Sequence, residues 1–298
     1  MSRTHIYLIV GGIALFGAIL LVVIWRAPAS VPPSAPPVAT STPTDVPDPI
    51  VATSTIGYSV EGRAIEAHRI GTGTQPLLFV GGIHGGYEWN SILLAYEMID
   101  HYTADPSQLP ANVELHIIPN LNPDGLYAAT GLTGRFNATD IPNNDMHQTG
   151  LGRFNANDVD LNRNFDCKWA PESTWRGAPV SAGSGPFSEP EAVALRDYVF
   201  DIVPKAAVFW HSQANNVYAS ECEAGVLPET LAVMEAYAEA GGYGAVPVFD
   251  AYPITGDAEG WLASLGIPAV TVELETRTSI EWSRNLSGTE AIIDMYAK

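Results

Sequence analysis

Positive charge is scarce in this chain. Lys and Arg number 14 against 33 Asp and Glu in 298 residues, a formal net charge of −19. A nucleic-acid binder needs a basic footprint, and none is present, so nucleic acid is excluded as a partner class. Cysteine is nearly absent. Cys167 and Cys222 cannot build a disulfide-dense scaffold or a four-cysteine zinc site; they can form one bridge, which an oxidising compartment would favour. Charge of either sign is limited, 16% of residues against 46% apolar, so most of the chain is expected to bury a core. Five of the rare basic residues (Arg135, Arg153, Arg163, Lys168, Arg176) fall between 135 and 176, and such a cluster in an acidic chain marks either a local anion site or a surface loop paired with its own acids.

Residues 6–25, "IYLIVGGIALFGAILLVVIW", hold no charge. About twenty apolar residues at a rise of about 1.5 Å span a bilayer core of about 30 Å, whereas a cleaved signal has an apolar region of about 7–15 residues. The expectation is an uncleaved single-pass anchor over 1–26, with secretion after cleavage near "APA" (27–29) as the alternative. Residues 27–55 form a Pro/Ser/Thr-rich linker that reads as an extended spacer. A folded domain over 56–298 would then sit outside the cytoplasm at the cell membrane, which supports the disulfide.

From about residue 55, strand and helix patterns alternate. "PLLFVGGI", "VELHIIPNL", "KAAVFWH" and "PAVTVELE" read as strands; "WNSILLAYEMIDHY", "PETLAVMEAYAEAG", "GWLASLGI" and "TEAIIDMYA" read as helices. "SEPEAVALRDYVFDI" carries Ser188 and Glu191 in the spacing of a capping box. The order predicts an α/β fold, a three-layer α/β/α domain with a mixed, largely parallel twisted sheet. The long Gly/Asn/Asp-rich stretch over 131–188 predicts a functional loop region. Within it, "GRFNATD" (134–140) echoes "GRFNAND" (152–158), so either Arg135 or Arg153 can be the arginine that matters.

Four stretches carry chemistry. "GGIHGGYE" ends a strand in two glycines, then His84 and Glu88; four apart on a helical turn they share a face and can chelate one ion, or simply hydrogen-bond to each other. "VDLNRNFD" packs Asp160, Asn162, Arg163, Asn164 and Asp166 together, a set that can hold a carboxylate or build a polar turn. "AVFWHSQ" puts His211 at a strand's carboxyl end, and "AVTVELE" puts Glu273 at another, a candidate base with a raised pKa or a paired structural acid.

Taken in order, "GGIHGGYE", "PNLNPDG", "RFNANDVDLNRNF", "FSEPE", "WHSQ", "YPITGD" and "VTVEL" resemble the zinc metallocarboxypeptidases of the carboxypeptidase A-like family, in the manner of the short bacterial members, from about Gly57 onward. The resemblance implies one zinc ion held by His84, Glu88 and His211 with a position left for water. It implies Glu273 as general base, Arg153 as oxyanion stabiliser, Asn162 and Arg163 as carboxylate clamp, Tyr252 as a cap over substrate and Asp160 as the acceptor that orients a zinc-bound His. Glu259, with Asp257 as the alternative, falls at the position that sets terminal-residue preference. Two features depart from the pattern: His-x-x-x-Glu replaces the usual His-x-x-Glu, and Gly260 stands where the family has Asp. The implied activity is release of a C-terminal residue from peptides or peptidoglycan stem peptides by a monomeric catalytic domain. A zinc deacylase of N-acyl amino acids and an inactive tethered binding domain are the alternatives.

Overall fold

The computed structural model describes residues 50–143, 145–250 and 252–298. The expected anchor over 1–26 and nearly all of the linker lie outside the described residues; among those described, no helix is long and apolar enough to cross a membrane. Strand β1 (Val51–Tyr58) begins inside the segment read as linker, and pairs antiparallel with β2 (Ala64–Ile70).

A single large sheet organises the domain. After β3 (Gln75–Val80) come helix α1 (Trp89–Ala104), β4 (Val113–Ile118), α2 (Pro123–Thr130) and the short α3 (Met146–Thr149). The 172–181 region forms a separate ribbon, β5 (Glu172–Trp175) with β6 (Ala178–Ser181). Then follow α4 (Pro190–Ile202), β7 (Ala206–Ser212), β8 (Asn216–Ala219), the two-residue pair β9 (Glu221–Cys222) and β10 (Gly225–Val226), α5 (Pro228–Gly241), β11 (Gly244–Val246), α6 (Ala258–Ser264), β12 (Ala269–Leu274) and α7 (Trp282–Tyr296). The sheet order is β1-β2-β4-β3-β7-β12-β8-β11. The four central strands run parallel and the flanks bring in antiparallel pairs, so the sheet is mixed.

The period-2 alternation of strands splits the core in two. Leu77 and Phe79 of β3, Val208 and Trp210 of β7 and Val270 and Val272 of β12 pack with α1, α5 and α7. Leu78 and Val80, Ala207 and Phe209, and Ala269 face the other way, against α4 and α6. Near-continuous apolar runs in β3 and β7 are what a strand covered on both faces requires.

One local expectation fails. Ser188 and Glu191 do not form a capping box: Glu189 is the residue at the start of α4 and no side chain caps it. Glu191 instead accepts from the backbone N–H of Val60 at 3.1 Å and from Asn155 Nδ2 at 3.1 Å, and Ser188 donates to Glu189 Oε1. Long-range demand for a buried carboxylate outweighs the local cap.

Cys167 and Cys222 are bonded, with Cα atoms 5.8 Å apart and a sequence separation of 55. Closing a loop of that length limits the unfolded chain by about 4 kcal/mol at 25 °C in the chain-entropy treatment. The Cys167→Ala/Cys222→Ala double variant is therefore expected to melt roughly 10 °C lower in scanning calorimetry; an unchanged melting temperature would show that the bridge carries no stability.

Candidate active site

Register brings the chemistry together. β7 and β12 are parallel neighbours with Glu273 directly beside His211, on the face shared with Ala207, Phe209 and Ala269. Both sit at the carboxyl edge of the sheet, where α/β folds place their sites. The adjoining strand β3 exits through Gly81 and Gly82 to His84, and Gly85–Glu88 closes a 3₁₀ turn that swings Glu88 back under the imidazole. The extra residue in the His-x-x-x-Glu spacing is absorbed at Gly85, whose φ of +45° is left-handed. A Cβ on Gly85 would also lie 2.7 Å from the Gly152 carbonyl, and one on Gly152 2.5 Å from that of Gly125. Three glycines thus let the metal turn, the start of α2 and the Arg153 loop pack backbone to backbone.

Glu88 Oε1 lies 3.0 Å from His84 Nδ1, Glu88 Oε2 lies 3.1 Å from His211 Nδ1, and the two Nδ1 atoms are 3.2 Å apart. All three side chains are buried. The far ring nitrogens face other carboxylates: His84 Nε2 is 3.4 Å from Asp160 Oδ1, and His211 Nε2 is 3.3 Å from Glu259 Oε1. Those acceptors favour a proton on each Nε2, which leaves both Nδ1 lone pairs aimed at a carboxylate. Glu88 Oε2 has no hydrogen-bond donor. Lone pairs held this close repel unless positive charge lies among them, and two imidazoles with a carboxylate are a donor set that zinc takes. The residues fit one zinc ion.

The titration behaviour reports the same demand. Burial would raise the Glu88 carboxyl, yet positive charge on the facing imidazoles outweighs it and holds the group well below the usual carboxylate range. Burial opposes an imidazolium at His211, but Glu88 and Glu259 overcome it and raise His211 to about 10. Protons and a metal cation therefore compete for one point. Asp160, which burial would raise, is held well below its ordinary value by Arg153. Glu273 goes the other way: burial, and then the negative charge of Glu88, push it up to about 7. Its Oε2 is buried with no hydrogen-bond partner.

A cleft of about 670 Å³ opens on this cluster, lined by His84, Glu88, Arg153, Asn162, Arg163, His211, Tyr252, Glu259 and Glu273 among others. Arg153 is buried, binds Asp160 Oδ2 through Nε and Nη2 at 3.1 and 2.8 Å, and turns Nη1 toward His84 at 3.2 Å. Arg135 of the echoing segment lies elsewhere, about half exposed and paired with Asp100. Arg163 forms no ion pair among the described residues; its guanidinium bonds Ser173 Oγ and the Asn162 carbonyl. Asn162 Oδ1 accepts from the Ala258 N–H at 2.8 Å, tying the motif to α6. Glu259 is buried, accepts from Thr271 Oγ1 at 2.8 Å and faces His211. Asp257 caps α6 by accepting from the Gly260 N–H; burial, reinforced by the charge of Glu259, raises it to about 6. Tyr252 stands at the mouth, 47% exposed. Asp166 points to solvent, and Asn164 braces the 182–189 loop rather than the cleft.

Sequence reasoning missed Tyr87, Trp175 and Arg277, which also line the cleft. Arg277 follows the Glu273 strand by one turn, in a stretch with no periodic pattern to mark it. Four of the five clustered basic residues (Arg153, Arg163, Lys168, Arg176) do reach the cleft.

Donors poised for one divalent cation beside a carboxylate of raised pKa are an arrangement that metal-assisted hydrolysis can use. Comparison with known proteins makes the class particular. The zinc carboxypeptidase family profile matches residues 44–281, and the chain belongs to that family. Carboxypeptidase B of Astacus astacus is 28% identical over 175 residues, 56% of this chain and 54% of that protein. Gamma-D-glutamyl-L-diamino acid endopeptidase 1 of Lysinibacillus sphaericus is 24% identical over 253 residues, 78% of this chain and 62% of that protein. The chain thus spans less than two thirds of the length of either curated relative. Among solved structures, murein-tripeptide amidase MpaA from Escherichia coli O157 superposes with a TM-score of 0.58 at 22% identity, over 83% of this chain and 92% of that one. The fold is the carboxypeptidase-like α/β fold with a mixed sheet.

Elemental analysis of the purified protein is expected to find one zinc per chain. Single replacements of His84, Glu88 or His211 by alanine should abolish stoichiometric zinc, and Asp160→Asn should weaken zinc binding about 10- to 100-fold. Full loading of Glu88→Ala would contradict the assignment of that carboxylate.

Proposed function

We propose that this chain is a zinc metallocarboxypeptidase that hydrolyses the C-terminal peptide bond of peptides or peptidoglycan stem peptides. The observation that carries this reading is the side-by-side placement of Glu273 and His211, with Arg163 in the same cleft. The names of the Lysinibacillus endopeptidase and of the MpaA neighbour favour the peptidoglycan side of the substrate range. The apolar run over 6–25 and the Pro-rich segment after it support a domain tethered at the cell membrane and facing outward, in keeping with its disulfide.

His84, Glu88 and His211 would hold the ion, and bound zinc polarises a carbonyl and acidifies a coordinated water. The protein's own side chains do the rest. Arg163 and Asn162 bind the terminal carboxylate, Arg163 as a buried cation that forms no ion pair among the described residues. Glu273 takes a proton from the attacking water and delivers it to the leaving amine, so the peptide C–N bond breaks as the new C–O bond is retained. Arg153, locked by Asp160 on two nitrogens, presents the remaining one to the carbonyl oxygen as negative charge builds there. Tyr252 closes over the bound end.

A panel of peptides ending in basic, acidic, aromatic and diaminopimelate residues, run beside N-acyl amino acids, tests the reading. Release of C-terminal residues is the expected result; turnover of N-acyl amino acids alone, or of nothing, would overturn it. Glu273→Gln should keep zinc and lose about 10³-fold or more in kcat. The base must be ionised, so kcat/KM is expected to fall on the acid side as Glu273 protonates. A dication beside it favours the ionised form, so the limb of the zinc enzyme should lie below the value of about 7 that burial and Glu88 impose; a limb above 7 would assign the base elsewhere.

A further inference from the structure

Arg277 has no role in the chemistry above, yet its placement is unusual. Its side chain is 17% exposed, lines the cleft and sits over the Tyr87 ring with Cζ 4.2 Å from the centroid. Its Nη1 is buried and makes no hydrogen bond. Its ion-pair contact is with Glu88 Oε1 at 3.8 Å, beyond hydrogen-bond reach, and Glu88 is itself committed to the metal donors. Arg176 stands on the same aromatic surface, its guanidinium held by Tyr87 Oη and by the carbonyls of His147 and Gln148, with no ion pair to a carboxylate among the described residues. In a chain with 33 acidic and 14 basic residues, two arginines free of close carboxylate partners in one cleft are a vacancy for an anion.

The two cation sets approach the metal donors from different edges. Asn162 bonds α6 beside Glu259, which touches His211 Nε2, and Asp160 of the same motif touches His84 Nε2, so the segment that carries Arg163 lies on the side of the far ring nitrogens. Arg277 lies at the Glu88 edge. A peptide anchored by its terminal carboxylate at Arg163 and attacked between the two edges presents the residue before the scissile bond to Arg277.

We propose that Arg277, supported by Arg176, forms a specificity subsite for a carboxylate on the residue that precedes the scissile bond. The inference rests on the peptidase reading above and names its substrate class. Such a carboxylate has two sources: the free α-carboxylate of a γ-linked glutamyl residue, or the side chain of an α-linked Asp or Glu. In the γ-linked and the α-linked glutamyl forms the carboxylate lies the same number of bonds from the scissile carbonyl, so one cation at this place serves both, and the matched peptides below separate the two sources.

The test uses the zinc-loaded full chain and three matched peptides with one common terminal residue: γ-glutamyl with a free α-carboxylate, its α-carboxamide, and α-linked glutamyl. The expected result is a kcat/KM about tenfold or more higher for the γ-linked carboxylate than for the carboxamide, with that ratio falling to within about twofold in Arg277→Gln and partly restored in Arg277→Lys. Faster turnover of the α-linked peptide, with the same loss in Arg277→Gln, supports the subsite and assigns the side-chain source. Equal turnover of acid and amide by the wild type, or a ratio untouched in Arg277→Gln, overturns the subsite while peptide cleavage itself still stands. Calorimetric titration of zinc-loaded Glu273→Gln with the acid and amide peptides reads the subsite without turnover. About tenfold tighter binding of the acid supports it, and equal affinity refutes it, even where no peptide is cleaved and the peptidase reading fails.

Discussion

Two imidazole nitrogens and a carboxylate, all buried and all within 3.0–3.2 Å of one another, repel through their lone pairs unless protons or a cation lie between them. That constraint organises the site. It explains why each far ring nitrogen is given a carboxylate to face, since a proton held there keeps the near nitrogen bare. It explains why Asp160 is itself clamped by Arg153 rather than left to wander: an orienting carboxylate must be oriented in turn. It also bears on Glu273, because the negative charge of Glu88 adds to burial in pushing that carboxyl up.

The fold meets the constraint with backbone register and close approach. Parallel pairing of β7 and β12 places His211 and Glu273 as lateral neighbours, roughly 4.8 Å apart across the ladder. Backbone contact among Gly85, Gly125 and Gly152 then sets the third donor and Arg153 against them. The disulfide joins the loop that follows Asn162 and Arg163 to β9, and the neighbouring Lys168 and Glu221 line the cleft, so two of its walls are covalently linked. Charge is distributed in keeping with this plan: an acidic protein spends most of its clustered arginines inside a single cleft.

Much of this was legible in the sequence wherever a residue's neighbours in the chain revealed its environment. His84, His211 and Glu273 each end an apolar strand, so their position at the sheet edge followed from pattern alone. The Arg135–Arg153 ambiguity could not be resolved that way, because the two heptapeptides are nearly the same. Packing gives the two different places, with Arg153 alone of the pair at the cleft: Gly152, before Arg153, meets Gly125 and Ala129 closely, whereas Gly134, before Arg135, has open space around it. Ser188 and Glu191 looked like a cap because cap spacing is local, while the groups that claim Glu191 come from Val60 and Asn155, far away in sequence. Glu259 was read toward the substrate; its approach to His211 depends on how α6 docks over β7, which no spacing encodes. Arg277 was missed for a similar reason, being one cation in an irregular segment.

X-ray absorption at the zinc edge of the purified protein measures the central point directly. The account predicts a first shell of two imidazole nitrogens at about 2.0–2.1 Å with oxygen ligands at about 2.0–2.2 Å, and loss of the zinc signal itself in Glu88→Ala. A first shell with one imidazole or none, or a spectrum that Glu88→Ala leaves unchanged, would mean that these three side chains converge for some purpose other than holding a metal.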